Sequence, residues 1–124
     1  MLQPMALVPL LAILLMMPRP GAAADAAAGQ AIFNRCKICH SLDAGKNIVG
    51  PSLHGVIGRK AGTVEGFAYS AAMKESGIVW NDETLTKYLN DPKAVVPGSK
   101  MAFPGLKDDK QIADLLAYLH QAAQ

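Results

Sequence analysis

The chain has 124 residues, room for one domain and little more, and a formal charge of +2 from 12 basic and 10 acidic residues, which is no footprint for nucleic acid. Its apolar content of 51% overstates the core, because many of those residues are alanine or fall in a leading apolar run, and only 6% are aromatic. These figures exclude a multidomain enzyme and leave a small domain that an apolar cofactor would help to complete.

That leading run is residues 5–17, MALVPLLAILLMM, 13 residues without a charge. It is short for a bilayer span, and the small-x-small triplet Ala22-Ala23-Ala24 follows it. The pattern predicts an export signal over residues 1–24, cleaved before Asp25, and a domain over 25–124. An uncleaved anchor is the rival reading. Cleavage would remove Arg19 and no acid, leaving the domain near charge balance.

Residues 26–35, AAAGQAIFNR, predict a helix, with Ile32 and Phe33 on its inner side and Gly29 open to close approach. Residues 41–66 carry six glycines and read as loop. A short helix is expected over Ser70–Lys74. Asn81 or Asp82 caps another that Pro92 must end. Residues 93–107 read as an ordered loop. The final helix is capped by Asp108 or Asp109, and Ile112, Leu115, Leu116 and Leu119 fall at i, i+3, i+4 and i+7. No strand pattern stands out. Loops this long in so small a domain point to something they wrap.

The chemistry concentrates in RCKICHS, residues 35–41, which holds both cysteines. Zinc wants four closed ligands, and no second ligand pair is spaced for one. A thiol redox pair wants a C-x-x-C at a helix start in a strand-rich fold. Haem attachment uses all three of Cys36, Cys39 and His40. Residues i and i+3 on one helical turn bring both thiols to one porphyrin edge, and the next imidazole meets the iron.

A second axial ligand should lie downstream. Met73 and Met101 are the methionines of the domain. Met101, in the loop VPGSKMAFPG, is preferred; Met73 sits in a short helix and reads as core. His54 reads as structural and His120 as a surface residue. A His/Met pair raises the iron potential and fills both axial positions.

CKICH, GPSLHGVIGRKAG, GFAYS, GIVWNDETLTKYLNDPK, VPGSKMAF and LLAYL together resemble the class I cytochromes c, the mitochondrial protein and its bacterial periplasmic relatives, from about Gly29 to the end. The resemblance implies an all-α class I cytochrome c fold, three to five helices and long loops round one covalent haem c on Cys36 and Cys39. It implies a periplasmic one-electron carrier, not an enzyme, moving electrons from a cytochrome bc complex to a terminal oxidase or photosynthetic reaction centre. Partners would be membrane redox complexes docked transiently, with no nucleic acid, no small-molecule substrate and a monomeric state. His40 would be the proximal ligand with the Pro51 carbonyl taking its ring proton. Met101 would be the distal ligand, with Tyr88 donating towards its sulfur. Arg59, Tyr69, Trp80 and Ser99 would hold the propionates, and Arg35, Lys93, Lys100 and Lys107 would form the docking rim. Gly29 and Phe33 would pack against Leu115 and Tyr118. Asp108 and Asp109 stand where the mitochondrial protein has lysines, thinning that rim. A peroxidase-like haem enzyme or a gas-binding haem sensor is the alternative, and neither has its own sequence signal here.

Overall fold

The structure is a computed structural model, and it describes Leu2 and residues 23–124. The expected export segment lies outside the described residues apart from Leu2, Ala23 and Ala24. Among the described residues there are five helices and no named strand, and no helix is long and apolar enough to cross a membrane. The expectation of an all-α class I cytochrome c fold with three to five helices holds.

Helix α1 (Ala26–Phe33) starts at Asp25, whose carboxylate accepts from the amides of Ala27 and Ala28 at 2.9 and 3.2 Å. That satisfies two of the donors that a helix start leaves unpaired. The helix ends two residues sooner than its sequence suggested. From there the chain tightens into the turn that carries the cysteines. Helix α2 (Ala71–Glu75) is capped by Ser70. Helix α3 (Asp82–Asn90) opens on a reciprocal box between Asn81 and Thr84.

Helix α4 (Pro92–Val95) falls inside a stretch expected to be loop. Pro92 does end α3, but it also occupies the first turn of the next helix, with Asp91 capping Ala94 at 3.3 Å. An Asp-Pro pair is itself a helix-start signal, since proline has no N–H to leave unpaired there. Helix α5 (Asp109–Ala122) is capped by Asp108, and its Ile112, Leu115, Leu116 and Leu119 are all buried, Ile112 completely.

The fold is held by α1 crossing α5. Gly29 makes the crossing possible: a Cβ there would drive into the Asp114 backbone carbonyl and stand 2.9 Å from the Tyr118 Cβ. Beside it, the rings of Phe33 and Tyr118 meet at 5.4 Å. Of the expected partners Tyr118 meets both Gly29 and Phe33, and Asp114 is added. The glycine-rich loop after His40 is pinned to the segment before α3 by Gly58 N–H to the Trp80 carbonyl (2.6 Å) and Trp80 N–H to the Arg59 carbonyl (2.8 Å). The loop carrying Met101 is tied back to the end of α3. There Leu106 N–H donates to the Leu89 carbonyl at 2.8 Å, and Asn90 Nδ2 donates to the Leu106 carbonyl at 3.1 Å. Gly105, at φ +113°, packs so tightly on the Asn90 carbonyl that no side chain fits.

Candidate haem site

The turn Cys36–His40 is built by two backbone bonds. Cys39 N–H and His40 N–H both donate to the Cys36 carbonyl, at 3.1 and 2.9 Å. That is a single helical turn, so the two thiols share one side of it. Both cysteines are unpaired and partly buried, so the structure does not join them in a disulfide. Burial pushes the Cys36 thiol up, against the pull of Arg35, with Cys39 adding to the rise.

His40 is fixed from two sides. Its Nδ1 lies 2.7 Å from the Pro51 carbonyl, the contact expected from the sequence. A carbonyl only accepts, so Nδ1 carries the proton and Nε2 keeps its lone pair. Burial, aided by the nearby Arg59 charge, holds the ring below its ordinary pKa although the Pro51 bond works the other way. The imidazole is therefore neutral at neutral pH and able to ligate. Gly50 closes on the other side: a Cβ there would stand 2.5 Å from the His40 Cε1. Sequence reading counted Gly50 as one more loop glycine. Its clue was its place beside Pro51, where a chain folding over an imidazole has no room for a side chain.

Cys36, Cys39 and His40 open onto a cavity of about 240 Å³. Its walls include Phe33, Trp80, Leu85, Leu115 and Leu119, which are also the core of the protein. Protein interiors are close-packed, so a mainly apolar space of this size against the core suits a large apolar group. The core is thus shaped to close on an apolar occupant. Pro51, Arg59, Tyr69, Tyr88, Ser99 and Met101 line the same space, so every expected cofactor-binding residue converges there. Met73 lines it too and packs against the core, so a second thioether shares the cavity.

The polar groups of the cavity make contacts the sequence did not foretell. Arg59 Nη1 donates to the carbonyls of Ser52 (2.9 Å) and His54 (3.1 Å), and no ion pair among the described residues includes it. A partly buried cation held by carbonyls alone suits an anionic occupant such as a propionate. Tyr69 accepts from Val64 N–H at 3.1 Å through its hydroxyl. Trp80 stacks obliquely on Tyr88, ring centres 4.9 Å apart. The Tyr88 hydroxyl, expected near the Met101 sulfur, meets the Ser99 hydroxyl instead at 2.7 Å. Ser99 also accepts from Met101 N–H at 3.4 Å, so Tyr88 reaches the methionine loop through that serine.

Of the expected docking residues, Arg35 and Lys100 are exposed at the cavity, while Lys93 and Lys107 are exposed away from its lining. Lys107 Nζ donates to the Asn90 carbonyl at 2.5 Å, which ties it to the end of α3. Two large apolar side chains stand out in solvent near the cysteine turn, Ile38 at 76% and Val49 at 73% exposure, and Val49 borders the cavity. His54 is exposed and outside the cavity. His120 is a surface residue as expected, but paired with Asp82 at 2.7 Å.

The comparisons with known proteins agree with this geometry. The family model described as Cytochrome c matches residues 26–123. The chain is similar to cytochrome c2 of Blastochloris viridis, 53% identical over 103 residues, covering 82% of this chain and 81% of that protein. It is also similar to cytochrome c-550 of Nitrobacter winogradskyi, 51% identical over 98 residues, covering 78% of this chain and 90% of that one. Among solved structures, cytochrome cH from Methylobacterium extorquens superposes with a TM-score of 0.74 at 49% identity, covering 79% of this chain and 99% of that one. With a core built round a cavity, a paired-cysteine turn at its edge and relatives of this kind, the chain belongs to the class I branch of the cytochrome c family, an electron carrier whose cofactor is haem c held covalently through Cys36 and Cys39.

Proposed function

We propose that the chain is a periplasmic one-electron shuttle between membrane complexes, taking electrons from a cytochrome bc complex and passing them to a terminal oxidase or photosynthetic reaction centre. The observation that carries this reading is that His40 and Met101 line one cavity, the histidine with Nδ1 tied to Pro51 and Nε2 free. When bound, the haem iron supplies a one-electron couple. The protein's own work is to hold it still and dry.

His40 would serve as proximal ligand, positioned by Pro51 and by the bare backbone of Gly50. Met101 would serve as distal ligand, its loop held by Ser99 and by the ties from residues 105–107 to α3. With both residues holding the haem iron, the site would favour electron transfer over substrate chemistry. Arg59, Tyr69, Trp80 and Ser99 would face the propionates, Arg59 as the cation. Phe33, Leu85, Leu115 and Leu119 would keep water from the porphyrin faces.

Docking would use the edge near the cysteine turn. Arg35 would supply positive charge there, with Lys100 also at the cavity, and Val49 and Ile38 would supply apolar contact, a mixture suited to brief, oriented encounters. Lys93 and Lys107 would extend the basic field.

Potentiometric titration of the Met101→Ala variant tests the reading. Replacing the thioether should lower the midpoint potential and open the distal position. An unchanged potential would remove Met101 from the ligand set.

A further inference from the structure

The amide nitrogen of Asp25 lies 2.7 Å from Oδ1 of Asp114, a bond that joins residues 89 apart in sequence. Asp114 is 4% exposed, on the face of α5 that α1 crosses. Its other partner is Lys110 Nζ, at 3.0 and 3.2 Å, whose side chain is 57% exposed. A carboxylate this buried wants compensating charge, and a half-solvated lysine provides only part of it. The residue before Asp25 is Ala24, the last of the small-x-small triplet.

We propose that hydrolysis of the Ala24–Asp25 bond creates an α-ammonium that pairs with the buried Asp114 carboxylate, making the processed N terminus a built part of the α1–α5 joint. In the cleavage, by an enzyme of the signal-peptidase class, water breaks the C–N bond. Hydroxyl goes to the Ala24 carbonyl carbon and hydrogen to the Asp25 nitrogen, which then takes a proton from solvent. The donor already faces Oδ1, so the nitrogen gains a full charge without having to move.

The geometry also chooses between cleavage positions. Ala24-Asp25-Ala26 is a second small-x-small triplet, and cutting after it would discard Asp25. That would remove the cap on Ala27 and Ala28 and the carbonyl that accepts from Gly29 N–H at 2.9 Å. Cutting one residue earlier would carry the ammonium about 3.8 Å further along the chain, away from Oδ1. Only a start at Asp25 leaves the cap intact and puts the charge on the atom already bonded to Asp114.

The other charged groups nearby do not replace this pairing. The Asp25 carboxylate is engaged with its own helix, Asp109 is in the first turn of α5, and Asp82 is bonded to His120. The bonds from Asp25 N–H and Lys110, in that order, hold the Asp114 carboxyl below its ordinary pKa, so its charge is present at neutral pH.

Three measurements on the exported holoprotein test the proposal. Intact mass should give a chain starting at Asp25; a start at Ala24, at Ala27 or an uncut chain would overturn it. Selective acetylation of the α-amine keeps the N–H and deletes the charge. It should lower the folding equilibrium constant about tenfold, as for a coupling of one pKa unit, and have little effect in Asp114→Asn. An equal loss in both backgrounds would overturn the pairing. Should that variant fold too poorly to compare, NMR titration of the α-amine in the unsubstituted protein decides. Its pKa should lie about one unit above the usual ~7.7–8.0, and an ordinary value would overturn the proposal.

Discussion

His40 and Pro51 are joined by a 2.7 Å bond from Nδ1–H to the carbonyl oxygen, and this contact decides which ring nitrogen can serve as a ligand. Its consequence runs through Gly50. The chain can lay the Pro51 carbonyl against the ring only because the residue before it has no side chain, a Cβ there standing 2.5 Å from Cε1 and 2.8 Å from Nδ1. Orientation of a ligand by such an outer contact sets its basicity and its tautomer.

Gly50→Ala should therefore disturb the ring more than the loop. Overpacking of this kind typically costs about 1–3 kcal/mol. The expected outcome is a lowered unfolding midpoint together with an altered ligand-field spectrum. Gly45→Ala makes a useful contrast, since a Cβ there meets nothing within 4 Å. It should leave the spectrum alone, although its φ of +74° carries a backbone penalty.

Gly29→Ala sets two effects against each other. Helix propensity favours alanine by about 1 kcal/mol. The new methyl group would drive into the Asp114 carbonyl, which is backbone and cannot swing aside. The steric effect should win, with a net loss of about 1–3 kcal/mol by denaturant unfolding. A stabilised variant would mean that α1 and α5 can separate without penalty.

Asp114 predicts a pH dependence with a definite sign. Its folded-state pKa is depressed by the Asp25 N–H and by Lys110. The stabilisation is therefore present above the ordinary carboxylate range and is lost as pH falls through the depressed value. Asp114→Asn should be less stable than the parent at neutral pH, and the gap should close in acid. Unfolding midpoints measured from neutral pH down into the acid range check this; a constant gap would contradict it.

The proposed docking surface gives a kinetic prediction. Arg35→Glu or Lys100→Glu should slow association with a membrane partner several-fold at low salt, with the difference shrinking as ionic strength rises. Val49→Ser should raise dissociation instead, because it removes contact rather than steering. Stopped-flow association rates across a salt series separate the two effects.

What was legible in the chain was whatever is local. The sequence Cys36–His40 states its own chemistry because its ligating atoms are neighbours on one turn. Helix α5 was legible from its 3.6-residue apolar period. Helix α4 was missed because Pro92 was read only as a stop, although Asp91 before it was a ready cap. The contacts that tune the site were hidden for another reason: they join distant residues. No pattern near Tyr88 says that its hydroxyl meets Ser99, and no pattern in α5 marks Asp114 as the buried acid beside Asp25. Asp114 looks like an ordinary polar position between Ile112 and Leu115. It is buried because Gly29 lets α1 come close enough to cover it.

The central proposal is that His40 and Met101 would together hold the haem iron of an electron carrier. Carbon monoxide binding to the reduced native protein at neutral pH tests it most directly. A closed site should bind the gas slowly or not at all, and Met101→Ala should bind it fast. Rapid binding by the native protein would contradict the assignment and favour an open-site haem enzyme or sensor.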